Sequence, residues 1–179
     1  LFLGLADAYL PRVHFDALLK ALQATSWSDE RAACDGSLHQ VLRSLAEGAR
    51  PDSGPLEQNY AMLRDVCASR EFERITQALQ QWQDSADPWL SRAAQTFAKG
   101  APGSARLSFE LLERVHHLSL ADVFRLEYIV SLQCGVQGDF QEGIRALLID
   151  KDKQPRWNPA SLEQADARWV ERFFVPAWP

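Results

Sequence analysis

The chain has 179 residues and a mass of 20.2 kDa, a size that fits one domain, or a domain with an appendage, better than two full ones. Its 46% hydrophobic, 24% charged and 10% aromatic residues lie outside the disordered, collagenous and membrane ranges. Nineteen Lys and Arg against 24 Asp and Glu leave a net charge of −5, the wrong sign for a chain that neutralises phosphates, which argues against nucleic acid as a partner.

Cys34, Cys67 and Cys134 are too widely spaced for a disulfide framework or a zinc site. They point to a reducing compartment, and a cytoplasmic location is expected. No apolar run approaches the ~20 residues of a membrane span, so none is expected. The chain opens in mid-pattern at Leu1 and its only methionine is Met62; the expectation is a piece of something longer.

In chain order, residues 5–10 alternate around Asp7 and stop at Pro11. This predicts one short strand, which needs partners the rest of the chain does not offer. Residues 15–22, 38–46, 56–67 and 72–82 then read as amphipathic helices joined by Gly/Pro/Ser breaks. Asp87-Pro88 is an N-cap followed by Pro at the first helical position, predicting a helix over 88–99. Leu107, Leu111, Val115 and Leu118 share one helical face. Ser119 to Asp122 is a capping-box pattern opening a helix to about Cys134, with Val123, Leu126, Val130 and Cys134 on one side. Asp139 to Glu142 repeats the device, and Ser161 to Gln164 matches it fully. The fold class is all-α, a multi-helix array with one short strand near the N-terminus.

No phosphate loop, dinucleotide fingerprint, nucleophile elbow or H-E-x-x-H motif is present. The glycines of 135–139 follow a helix and read as its C-cap and turn rather than a ligand contact. His14, His39, His116 and His117 are too scattered for a metal triad, so no metal is expected. Glu127, set among apolar neighbours, is either a structural carboxylate ion-paired to Arg145 or a base with a raised pKa; the ion pair is the expectation. In Asp150-Lys151-Asp152-Lys153-Gln154-Pro155-Arg156-Trp157, two lysines beside an aromatic suit the phosphates and base of a nucleotide-like ligand. The alternative is a solvated turn with Trp157 docked as an anchor. The apolar ending, residues 169–178, needs cover from its own body or from another part of a parent protein.

Several of these segments resemble the crotonase superfamily of enoyl-CoA hydratases and isomerases. Residues 4–11 are similar to the segment that closes its catalytic core. Asp139-Phe140-Gln141-Glu142-Gly143-Ile144-Arg145-Ala146 resembles its DFxEGxRA element. Residues 147–157 are similar to the tail of the 3-hydroxyisobutyryl-CoA hydrolase-like branch, and Glu127-Tyr128 fits a helix of that branch, with a departure at Ile129 and Val130.

The resemblance implies the C-terminal helical part of an acyl-CoA-processing enzyme, with residues 1–11 the tail end of the core and 12–179 a helical domain. It implies no catalytic residue in this chain, because the family's carboxylates and oxyanion hole lie in the core upstream. It also implies no cofactor and a coenzyme A thioester as substrate of the parent protein; by charge and stacking alone, Lys151, Lys153 and Trp157 are the residues expected to contact that substrate. The implied partners are the core itself and further copies in a homo-oligomer. The alternatives are a free-standing helical interaction module, and an enzyme complete within these residues that uses Glu127 as acid or base.

Overall fold

A computed structural model describes residues 1–46, 49 and 51–178. Ten α-helices carry its described residues: α1 (Phe15–Ala24), α2 (Arg31–Ala46), α3 (Pro55–Gln58), α4 (Tyr60–Cys67), α5 (Phe72–Gln81), α6 (Pro88–Lys99), α7 (Pro102–Val115), α8 (Leu120–Gln137), α9 (Phe140–Ile144) and α10 (Ala167–Glu171). The all-α class is as expected. The strand at residues 5–10 is not: no strand occurs among the described residues, and this stretch is irregular backbone with bends at Leu5 and Asp7, following a turn in which Gly4, at φ 70°, donates its N–H to Leu1 O. A lone strand has no ladder to join, so the alternating pattern alone cannot hold it extended. No described helix is long and apolar enough to cross a membrane.

Helix starts follow local chemistry. Asp87 Oδ1 accepts from Trp89 N at 2.8 Å and Leu90 N at 3.3 Å, and Pro88 occupies the first turn of α6. Ser119 Oγ accepts from Asp122 N at 3.2 Å, and α8 runs three residues beyond the expected Cys134. Residues 56–67 divide at Asn59, whose side chain turns back to Pro55 O at 2.9 Å. Ser161 opens only a turn. Asp166 then takes over as N-cap of α10, accepting from Trp169 N at 2.7 Å.

The chain divides into two compact units, Leu1–Asp65 and Val66–Pro179. In the first, α1 packs on α2 and His14 Nδ1 donates to Leu45 O at 3.0 Å; no described residue of this unit is fully buried. The core of the second is Leu107 of α7, Val130 of α8, Val170 of α10 and Phe173, with Leu111, Cys134, Trp169 and Phe174 against it. The apolar ending therefore contributes Val170 and Phe173 to the interior, while Val175 and Trp178 stay exposed. Burying such side chains is worth about 2 kcal/mol each. Gly103 lets Trp169 lie directly on α7, because a Cβ there would collide with the indole and stand 3.1 Å from Pro159 Cδ.

Candidate functional site

The lysine-bearing segment is organised by one guanidinium. α9 leads straight into a π turn, Arg145–Ile149, closed by Asp150 N donating to Arg145 O at 2.8 Å; π turns recur at functional positions. Arg145 uses all three of its nitrogens. Nε and Nη2 fork onto Glu142 Oε2 and Oε1 at 2.9 and 2.7 Å. Nη1 reaches Asp150 at 2.6 Å and Asp152 at 2.7 Å, and Nη2 also reaches Gln154 O at 3.2 Å. Bidentate pairing of this kind fixes orientation as well as energy. The fork, with the Arg156 N–H that donates to Glu142 at 2.7 Å, lowers the Glu142 pKa from 4.5 to about 2. Asp152 is held below its ordinary value chiefly by Arg145, and the carboxylates in turn raise the pKa of Arg145.

This overturns the expected ion pair between Glu127 and Arg145. Glu127 is exposed on α8, and Arg145 is taken by carboxylates nearer in sequence. Glu142 at i−3 lies on the same helical face as Arg145, so it needs no tertiary approach to reach it. Asp139 departs from expectation as well. Its Oδ1 does not cap α9 but accepts from Asn158 N at 2.8 Å, tying the returning chain to the helix start; burial pushes the Asp139 pKa up, opposed by that N–H. Of the glycines expected to cap α8, Gly135 lies inside the helix and Gly138 is its C-cap, donating its N–H to Cys134 O at 3.2 Å.

Within the segment, acids and lysines alternate. Asp150 and Asp152 turn to Arg145, whereas Lys151 and Lys153 are exposed and, among the described residues, carry no ion pair. Both lysines are left-handed, at φ 55° and 56°, a conformation that costs a non-glycine residue roughly 1–2 kcal/mol. Lys153 N donates to Ala146 O at 3.0 Å and Gln154 N to Asp152 at 2.8 Å. Trp157 closes the segment, its Nε1 donating to Lys99 O at 3.1 Å and its ring lying over Gly143.

An apolar cavity of about 430 Å³ adjoins, walled by Cys134, Phe140, Ile144, Leu147, Leu148 and Trp157. A larger one of about 840 Å³ lies among α5, α6 and α7, lined by Phe72, Ile75, Leu79, Phe97, Phe109 and Leu112. At its edge Arg70 holds Glu113 through Nε at 3.0 Å and Nη2 at 2.5 Å. On α8, Leu120, Phe124, Tyr128, Leu132 and Val136 recur every fourth residue and are all exposed, an apolar stripe along the helix.

The Enoyl-CoA hydratase/isomerase family model matches residues 1–174. The chain belongs to the enoyl-CoA hydratase/isomerase family. Within this family it is similar to the 3-hydroxyisobutyryl-CoA hydrolase, mitochondrial, of Danio rerio, 34% identical over 174 residues that make up 96% of this chain and 44% of that protein. The 3-hydroxyisobutyryl-CoA hydrolase 1 of Arabidopsis thaliana is 31% identical over 96% of this chain and 45% of its own length. The small ribosomal subunit protein mS47 of Arabidopsis thaliana is 28% identical over 84% of the chain and 37% of its own. A solved enoyl-CoA hydratase from Rhodobacter sphaeroides 2.4.1 shares the fold, with a TM-score of 0.70 and 24% identity over 98% of this chain and 46% of that one. The chain thus spans less than half the length of each of these proteins.

Proposed function

We propose that this chain is the C-terminal helical part of an acyl-CoA-processing enzyme, 3-hydroxyisobutyryl-CoA hydrolase-like or hydratase/isomerase-like. In this reading it covers the coenzyme A site and supports assembly into a homo-oligomer, without the catalytic core. Residues 1–11 belong to the end of that core and 12–179 form the helical domain. The reading is carried by the hydrolase of Danio rerio, which this chain matches along 96% of its own length but only 44% of the relative's. The exposed apolar stripe of α8 supports it, as a surface of that size calls for cover.

Lys151 and Lys153 contact the phosphates of coenzyme A as point charges, and the half-exposed ring of Trp157 flanks the nucleotide. The substrate is a coenzyme A thioester and no cofactor is required. All three cysteines are free, which fits the reducing, cytoplasmic setting expected above; a mitochondrial address stands in the name of the Danio rerio relative.

The test titrates coenzyme A into the chain by calorimetry and repeats it with Lys151→Ala/Lys153→Ala. Binding weakened at least about tenfold by the double change is expected, and equal binding overturns the lysine assignment. An antibody raised against the chain reads its mass in the source cell, and a native species of 20.2 kDa overturns the partial-enzyme reading. That outcome favours the second reading, a free-standing interaction module, which draws on the similarity to a protein named as part of a ribosomal subunit.

A further inference from the structure

We propose that Arg145 is a positioning residue for phosphate recognition, acting through Lys151 and Lys153; the inference rests on the reading that these lysines meet coenzyme A. A phosphate site built from two lysines faces two difficulties here. Asp150 and Asp152 are interleaved with the lysines and repel the same ligand. The lysines themselves are flexible point charges on a left-handed backbone that they do not favour.

Arg145 answers both. Its Nη1 draws Asp150 and Asp152 to one point, at 2.6 and 2.7 Å, leaving Lys151 between them and Lys153 after them exposed. Its Nη2 fixes Gln154 O at 3.2 Å, while Lys153 N is held on Ala146 O at 3.0 Å, so the backbone on either side of both lysines is pinned. Glu142 fixes the guanidinium from behind and is itself fixed by Arg156 N. The arrangement spends one cation to occupy three carboxylates and leaves two lysines turned outward, a preorganised pair for a dianionic phosphate.

The experiment is a double-mutant cycle on coenzyme A binding by the 179-residue chain. Arg145→Gln weakens binding about tenfold with the lysines present, and adds nothing in the Lys151→Ala/Lys153→Ala background. Arg145→Lys, which keeps the charge but loses the fork, recovers part of the loss. Should Arg145→Gln fail to fold, Asp150→Ala/Asp152→Ala decides. That variant makes the segment more positive, so charge alone tightens coenzyme A binding, whereas loss of positioning weakens it. Weaker binding supports the inference and tighter binding overturns it. Lysine changes that weaken binding while Arg145→Gln does not also overturn it and leave the proposed function standing. Lysine changes without effect overturn the reading of the lysines, and the inference with it.

Discussion

Trp157 and Lys99 are joined across 58 residues by one bond, the indole Nε1 donating to the backbone carbonyl at 3.1 Å. Lys99 is the last residue of α6, where carbonyls lack helical partners, so the indole satisfies an acceptor and anchors the end of the lysine segment at once. Trp157→Phe keeps most of the ring and loses the bond, and is expected to cost about 1 kcal/mol in urea unfolding. Trp157→Ala, which also uncovers Gly143, costs more. Equal stability of Trp157→Phe and the parent chain would mean that the bond contributes nothing.

Acid should loosen the same segment. Glu142 titrates at about 2 when folded, below its ordinary 4.5, first because Arg145 bonds its ionised form and then because Arg156 N–H does. A carboxyl whose pKa is lowered by folding stabilises the fold while it is ionised. The contribution is complete above about 4.5 and is lost as the pH falls toward 2. Carbon NMR of the Glu142 carboxyl is expected to give a midpoint near 2. In Glu142→Gln the loss of stability across that pH window is shallower than in the parent chain.

What could be read in advance was what neighbouring residues settle among themselves. Asp87 and Ser119 cap α6 and α8 as their spacing dictates, because a cap needs only the next three N–H groups. Features that depend on distant partners differ. Residues 5–10 had a strand pattern with no second strand, and Asp139 had a cap pattern but gave its carboxylate to Asn158, 19 residues on. Glu127 is set among apolar neighbours in the sequence, yet its side chain is exposed on α8. The pairing of Arg145, at the C-cap of α9, with Glu142 is legible from their i, i+3 spacing; its hold on Asp150 and Asp152 depends on the π turn that Arg145 opens, which no simple periodicity encodes.

Gly103 is a point of close approach between α7 and α10. A Cβ at this position runs into the Trp169 ring, which is held in turn by Phe173 at 4.7 Å between centroids. Helix propensity alone makes Gly→Ala favourable by about 1 kcal/mol. Overpacking opposes it by about 1–3 kcal/mol, and we expect the overpacking to win. Thermal unfolding of Gly103→Ala reads the sign, and a raised Tm would show that Trp169 moves aside freely.

Asp139 separates the charge of a half-buried carboxylate from its hydrogen bond. Burial raises its pKa, so folding disfavours the ionised form that predominates at neutral pH, while Oδ1 still accepts from Asn158 N at 2.8 Å. The sign is opposite to that of Glu142: because the folded pKa is raised, stability declines as the pH rises through the Asp139 titration. Asp139→Asn removes the charge and keeps an acceptor, and is expected to leave neutral-pH stability equal or slightly higher. Asp139→Ala abandons the Asn158 N–H and is expected to cost about 1–2 kcal/mol. Denaturant unfolding of the two variants at pH 7 makes the comparison. Equal destabilisation by both would mean that the negative charge itself holds the returning chain against α9.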